Sequence, residues 1–224
     1  MSDSRFELKN VDSEDLDDVL MKIEKSFHFK FEKPELKDVN TFGHLCDIIT
    51  NKVQGNNIDD CTTQQAFYKL RDAIASSSYI DKNIIAPTTN LSILFPKHQR
   101  RQKIRDLDSK IGIKTEILRP KHWISSTLIL IMVASFIGLF IFWKIALPCL
   151  ALSVGGIKLA YRLANEFDLE NVGQVSEKIT REHYLKVRRI SSTVNRNEVI
   201  QKIKELFRKD LDDELVLERE STFR

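Results

Sequence analysis

Nine lysines and arginines lie between Lys97 and Lys121, accompanied by only three acidic residues, and this basic run has the clearest chemical potential in the chain. Clustered cations bind phosphate groups, whether these belong to anionic lipids or to nucleic acids. The run ends just before an apolar segment that begins at Trp123, and beside a membrane span the pattern favours lipid head groups. The head-group contacts that we predict are Arg100, Arg101, Lys103, Arg105, Arg119 and Lys121.

The other titratable and nucleophilic side chains predict neither an enzyme nor a metal site. The five histidines and three cysteines show no metal-ligand spacing; His44 and Cys46, for example, fall on different faces of a helix. The sequence contains no Gly-rich phosphate loop and no G-x-S-x-G elbow. The formal net charge of +3 is small, so we expect no nucleic-acid partner. The cysteines are an odd, scattered set, which favours reduced thiols.

The apolar segment from Trp123 to Trp143 contains no charged residue. As a helix its 21 residues would measure about 31 Å, close to the thickness of a bilayer core. A tryptophan stands at each end, as in an aromatic belt, and Arg119, Lys121 and Lys144 flank the run. The segment is therefore predicted to be a membrane span.

A second apolar stretch, Ile145–Tyr161, follows almost at once. Its uncharged part, Ile145–Ile157, would measure only about 20 Å as a helix, which is short for a span. The stretch reaches Tyr161 only if the side chains of Lys158 and Arg162 extend to the lipid head groups. We favour a two-span hairpin, with a re-entrant or interfacial second helix and a single span as the alternatives.

The distribution of charge predicts the orientation of these spans. The basic run precedes the first span, whereas the tip between the spans offers only Lys144. The positive-inside rule then places both soluble parts, and both termini, in the cytoplasm of a cell whose inner membrane holds the hairpin. The segment Met1–Val11 is polar and does not resemble a signal peptide.

The soluble parts show helical spacing. A stripe of apolar residues runs from Leu16 to Phe27, and Asp12 or Ser13 is a suitable N-cap ahead of it. A second helix is predicted over Thr41–Val53. Near the C-terminus, Val199 to Phe207 form another stripe of the same kind. Neither stripe is expected to stay in water, so we predict that the first and last stripes pack together, within one chain or between the chains of a homo-oligomer.

One short motif occurs twice. The segment Thr41–Thr50 (TFGHLCDIIT) matches Asn171–Thr180 (NVGQVSEKIT) at the glycine, at the apolar positions beside it and at the closing Ile-Thr. An aromatic residue and an acid precede each copy. The chain is therefore predicted to contain two related units.

These segments resemble the acyl carrier proteins, four-helix domains that carry acyl chains on phosphopantetheine. The segment Leu16–Ile49 is similar to their second to fourth helices, and Val194–Arg224 resembles their first helix and the loop after it. In the middle of the chain, Thr62–Ser76 resembles a first helix, Arg100–Ile111 a second, and Phe167–Tyr184 a third and fourth. The resemblance implies an all-α fold of carrier-like helical bundles interrupted by a transmembrane hairpin.

The domain boundaries that follow from this resemblance make the first unit a permuted carrier. They are 1–58 for carrier-like helices two to four, 59–122 for the first half of a basic second unit, 123–163 for the hairpin, 164–190 for the other half of that unit, and 191–224 for a helix like a carrier's first.

A carrier protein holds its prosthetic group on a serine at the start of its second helix, in an Asp-Ser-Leu setting. In the first unit, Asp12-Ser13 stands at the matching distance, which makes Ser13 the candidate attachment site for 4'-phosphopantetheine. Glu14 replaces the leucine of the family, so the favoured interpretation is that Ser13 is only a helix cap. The second unit has Pro96-Lys97 at this position and no candidate serine.

The resemblance and the apolar segment together predict a membrane-anchored, carrier-like protein without catalytic activity or cofactor. Its expected role is a scaffold or docking partner for enzymes of lipid or polyketide biosynthesis at the cytoplasmic face of the membrane. The alternative is a true acyl carrier modified on Ser13. Its expected partners are the lipid bilayer and enzymes that build acyl chains.

Overall fold

The structure, a computed structural model, describes residues 8–32 and 34–223. Most of these residues are helical, which confirms the all-α class. Two short 3-10 turns, Leu8–Asn10 and Lys82–Ile84, accompany the helices. The helices of the described residues are α1 (Ser13–Phe27), α2 (Phe42–Lys52), α3 (Thr62–Ser78), α4 (Leu91–Leu94), α5 (Arg100–Ile111), α6 (His122–Gly138), α7 (Trp143–Arg162), α8 (Val172–Glu182), α9 (Tyr184–Val187) and α10 (Arg196–Asp210).

Four two-residue strands pair in twos. Strand β1 (Asn56–Asn57) pairs in parallel with β4 (Thr193–Val194), and β2 (Leu118–Arg119) pairs antiparallel with β3 (Glu166–Phe167). The described residues form two compact units, one made of those up to Asp72 together with those from Ser176, the other of 73–175. The domain boundaries predicted from the sequence stay a prediction.

Short polar residues begin several helices by accepting hydrogen bonds from free backbone N–H groups. Asp12 caps α1, so the cap is Asp12 rather than Ser13. Thr41 accepts from His44 N at 3.2 Å at the start of α2, and Asn195 accepts from Glu198 N at 3.2 Å at the start of α10. These residues fix where each amphipathic segment becomes helical.

The core of the first unit lies between α1, α2 and α10. Phe42 of α2 meets Phe207 of α10 edge to face, with ring centroids 5.3 Å apart. Val19, Ile23 and Phe27 of α1 are buried in the same cluster. The predicted packing of the first and last apolar stripes is therefore confirmed, and it occurs within one chain.

The duplicated glycine motif forms the same hydrogen bonds twice. Gly43 N donates to the carbonyl oxygen of Arg219 at 2.8 Å, and Gly173 N donates to that of Pro87 at 2.7 Å. A side chain at either glycine would lie within about 3 Å of that carbonyl, at 2.7 Å for Gly43 and 3.1 Å for Gly173. The two copies of the motif thus make the same backbone contact, and the close approach explains why both copies have glycine.

The loops after α1 and α5 also match. Phe31 N donates to the Glu24 carboxylate at 2.7 Å, and Thr115 N donates to the Asp108 carboxylate at 3.0 Å. Each carboxylate lies four residues before the residue with left-handed backbone that ends its helix, His28 for α1 and Gly112 for α5. We call α10, α1 and α2 the first repeat and α3, α5 and α8 the second repeat.

The apolar segment forms α6 and α7, which pack against each other. Gly156 of α7 leaves room for Leu128 of α6, because a side chain there would meet Leu128 at 2.9 Å. Helix α7 has 20 residues and is about 30 Å long. Among the described residues it is the one helix long and apolar enough to cross a bilayer, and only 11 % of its most apolar stretch is buried. Helix α6, with 17 residues, is shorter.

The helix boundaries differ from those predicted for the spans. The first helix ends at Gly138 instead of Trp143, and the second starts at Trp143 and continues past Lys158 to Arg162. The prediction that the first helix is the longer of the two is therefore wrong, because α6 has 17 residues and α7 has 20. Glycine is a poor helix former, and Gly138 stands where the chain turns and passes Ala146. Uniform apolarity through this turn hid its position from sequence reasoning.

Candidate functional site

Strands β2 and β3 bring the two ends of the apolar segment together. Leu118 pairs with Phe167, so the residues that lead into α6 lie beside those that follow α7. A lysine and a carboxylate meet at the same place, with Lys97 Nζ 2.7 Å from Glu166 Oε1. The hydrogen bond from Lys97 lowers the pKa of Glu166, so this carboxylate stays ionised at neutral pH.

Arg100 is buried, unlike the other predicted head-group contacts. Its Nε donates to the carbonyl oxygen of Phe95 at 3.1 Å and its Nη1 to that of Asn165 at 2.6 Å. The guanidinium lies over the ring of Phe167, 4.2 Å from the centroid. Burial lowers its pKa, and Glu166 partly opposes the effect. With 7 % of its side chain exposed, Arg100 ties α5 to the segment after α7 and is not available to a lipid head group.

The other predicted cations lie at or near the surface. Arg101, Arg105, Arg119 and Lys121 are exposed, and Lys103 is half-buried. Arg119 forms an ion pair with Asp168, Nη2 to Oδ2 at 2.7 Å. Among the described residues, Lys121 has no carboxylate within ion-pair distance. The basic surface thus keeps five of the six predicted contacts, and the role of these five in lipid binding stays a prediction.

Ser13 is the first residue of α1, and its side chain is exposed. Its hydroxyl donates to Asp12 Oδ1 at 3.4 Å, and the same oxygen accepts from Glu14 N. Ser13 stands fifteen residues before the left-handed His28, and Lys97 stands fifteen before the left-handed Gly112. Counted from these left-handed residues, Lys97 of the second repeat corresponds to Ser13, and the role of Ser13 stays a prediction.

The cysteines offer no evident chemistry in the described part of the chain. Cys46, Cys61 and Cys149 are all free thiols. Burial raises the pKa of Cys46 to about 12, so its thiol is protonated at neutral pH. Among the described residues, histidines, cysteines and acids form no group of three or more that could hold a metal ion.

A buried arginine that sequence reasoning missed organises the first unit. The side chain of Arg188 is fully buried, and its Nη2 pairs with Asp60 Oδ1 at 2.6 Å. Its Nη1 donates to Thr62 Oγ1 at 2.6 Å, and its Nε and Nη2 donate to Thr193 Oγ1. The guanidinium thereby joins the start of α3 to strand β4. The adjacent Arg189 is exposed, so the sequence Arg-Arg by itself gives no sign of which arginine is buried.

The hydroxyl of Tyr184 extends this polar cluster to α10. It donates to the Glu198 carboxylate at 3.1 Å and accepts from Asn195 N at 3.1 Å. Burial raises the pKa of Tyr184, which keeps the phenol protonated. The backbone N–H of Thr62 donates to the same carboxylate at 3.0 Å. Because its members already satisfy one another, the cluster stabilises the fold.

The comparisons with known proteins give no relative. No protein-family model, curated protein or solved structure matches this chain. The fold and the surface define a helical protein with a duplicated hydrogen-bonding motif, a pair of exposed apolar helices and a basic surface beside them. Such an arrangement can associate with a membrane and with other proteins.

Proposed function

We propose that this protein is a membrane-anchored docking protein without catalytic activity. The observation that carries the proposal is the exposure of α6 and α7: of the 25 large apolar side chains that are exposed among the described residues, 18 lie in residues 123–163. A core helix of a water-soluble protein would bury them, and an exposed apolar surface of this size requires a partner or a membrane. The hydrocarbon core of a bilayer would cover the exposed apolar side chains on all sides of this helix pair.

The geometry at the base of α6 and α7 supports an anchor of two helices. Both ends of the apolar segment meet at β2 and β3, so the chain leaves and returns at one place. The exposed cations Arg119 and Lys121 lie at this end, where an anionic lipid surface would attract them. By the positive-inside rule this end faces the cytoplasm of the cell, with both termini on that side of the inner membrane.

Membrane association has a direct test. The full chain, mixed with vesicles of phosphatidylcholine and centrifuged in a density gradient, is expected to float with the vesicles at high salt. A matched variant with Leu130→Lys and Leu152→Lys, two exposed positions on α6 and α7, is expected to lose flotation, since each charge at the bilayer centre costs about 3 kcal/mol. A wild-type chain that stays in the soluble fraction would refute the anchor.

The docking partners that we propose are enzymes of acyl-chain biosynthesis. This choice of partner rests on the resemblance to acyl carrier proteins. In this role the two helical repeats supply the docking surface at the membrane. Capture of such enzymes by the detergent-solubilised chain, and no capture by a chain with charge reversals on the exposed face of α1, would support the assignment. Equal capture by both chains would refute it.

A true acyl carrier is the second candidate, because Ser13 is exposed at the first turn of a helix, where a transferase could reach it. Intact-mass spectrometry of the chain from its native cells decides between the two. A carrier has the added mass of one phosphopantetheine, which Ser13→Ala removes and Ser92→Ala, at another exposed serine, retains. A chain of unmodified mass supports the docking protein.

A further inference from the structure

A cavity of about 400 Å³ lies where α6 begins and α7 ends. Trp123 and Ile124 contribute to it from the first turn of α6, and Leu159 and Leu163 contribute from the end of α7. Gly156 also lines the cavity. The volume falls within the range of sites that bind small molecules, and most of the wall is apolar.

The charged end of the cavity has an excess of positive charge. Lys97, Lys121 and Glu166 line this end. Glu166 is already paired with Lys97 at 2.7 Å and lies 3.8 Å from Arg100 Nη1. Lys121 is exposed and, within the described residues, has no ion-pair partner. An anionic group that enters the cavity would therefore meet the exposed ammonium group of Lys121, while Lys97 already balances the charge of Glu166.

The composition of the wall suits a cavity at a membrane surface. Trp123 is 67 % exposed at the boundary between the basic run and the apolar helices, which is the position of an interfacial tryptophan. The cavity wall includes Lys97 and Lys121 together with Leu159 and Leu163. A ligand that fills the cavity must therefore be anionic at one end and apolar at the other.

We infer that this cavity binds one anionic phospholipid. The phosphate lies against Lys121 and Lys97, and the acyl chains follow Leu159 and Leu163 along the outside of α7. The inference rests on the proposed membrane anchor, and it adds a specific lipid site to it. A free phosphate would meet the same lysines but would leave the leucines and Trp123 without an apolar partner.

Native mass spectrometry of the full chain in zwitterionic micelles tests the inference. Phosphatidylglycerol, phosphatidylcholine with the same acyl chains, and glycerol phosphate are titrated separately. One phosphatidylglycerol is expected to bind about five- to thirtyfold more tightly than phosphatidylcholine, the factor expected of one or two lysines at an anionic surface. Equal affinity for the two lipids, or glycerol phosphate binding as tightly as phosphatidylglycerol, would overturn the inference.

Two variants and a control locate the site. Lys121→Gln is expected to remove the preference for phosphatidylglycerol, and Ala160→Trp, which fills the cavity, is expected to abolish tight binding of that lipid. Lys144→Gln, at the other end of the apolar helices, is expected to leave the preference unchanged. A preference that survives in both Lys121→Gln and Ala160→Trp would overturn the site. Flotation with phosphatidylcholine vesicles separates the two claims, since its failure refutes the anchor itself.

Discussion

Arg119 Nη2 lies 2.7 Å from Asp168 Oδ2, and this ion pair joins the segment that precedes α6 to the segment that follows α7. The pairing of β2 with β3 holds the same two segments side by side. An insertion with its ends fixed together can be accommodated in a folded unit without displacing the helices on either side. The second repeat can therefore contain α6 and α7 and still form the backbone contacts of the first repeat.

Replacement of Arg188 by methionine is expected to destabilise the protein by about 3 kcal/mol. The change leaves Asp60, Thr62 and Thr193 without their buried donor, and removing one partner of a buried ion pair has a cost of this size. Arg189→Met, at the adjacent exposed position, is the control and is expected to alter stability by less than about 0.5 kcal/mol. Thermal unfolding in detergent, followed by circular dichroism, measures both. Equal effects of the two substitutions would show that the buried cluster does not stabilise the fold.

Alanine at the two repeated glycines is expected to destabilise the protein, more strongly at Gly43 than at Gly173. The added carbon would lie 2.7 Å from the backbone oxygen of Arg219 in the first case and 3.1 Å from that of Pro87 in the second. Overpacking of this kind costs about 1–3 kcal/mol. Gly155→Ala is the control, because nothing lies within 4 Å of its added carbon. If Gly43→Ala is as stable as Gly155→Ala, the backbone of Arg219 does not lie as close to Gly43 as the structure has it.

Asp108 gives the fold a dependence on pH. Burial raises its pKa above the ordinary value of 3.8, although hydrogen bonds from Thr115 partly oppose the shift. The folded chain therefore retains this proton to higher pH than the unfolded chain. As pH rises from 3.8 through the raised pKa of Asp108, the free energy of unfolding decreases, because the carboxylate must ionise in a buried place.

Asp108→Asn should remove this loss while its amide oxygen still accepts from Thr115. The variant is expected to gain stability relative to the wild type between pH 4 and pH 7, as measured by thermal unfolding in detergent. Asp106→Asn, at an exposed position on the same helix, is the control for a general change in charge. A constant difference between Asp108→Asn and the wild type across this range would contradict the raised pKa.

Local patterns in the sequence predicted the helices and part of their packing. Spacing of three and four along α1 and α10 identified both buried stripes, and α5 has the predicted bounds Arg100–Ile111. The glycine motif predicted two related units because it occurs twice in the sequence, and in the structure both glycines lie close to a backbone carbonyl. The helices depend on residues that are near one another in the chain, and the repeat was visible because the same short motif occurs twice.

Features set by distant contacts could not be predicted in this way. Arg188 is buried because Asp60 and Thr62, more than a hundred residues earlier, receive its hydrogen bonds. The strand pair of Asn56 and Thr193 is two residues long and shows no alternation of apolar and polar side chains. Arg100 looked like a surface cation because its sequence neighbours are charged, whereas its partners are Phe95, Asn165 and Phe167.

Thiol labelling of intact spheroplasts tests the central claim, that α6 and α7 anchor the chain as a pair with both soluble parts on one side of the membrane. Single cysteines replace Lys144, Lys25 or Lys209 in a chain whose own cysteines are serine. A membrane-impermeant maleimide is expected to label Lys144→Cys in intact spheroplasts, and Lys25→Cys and Lys209→Cys only after lysis. Labelling of Lys25→Cys or Lys209→Cys without lysis, or of Lys144→Cys only after lysis, would contradict the two-helix anchor.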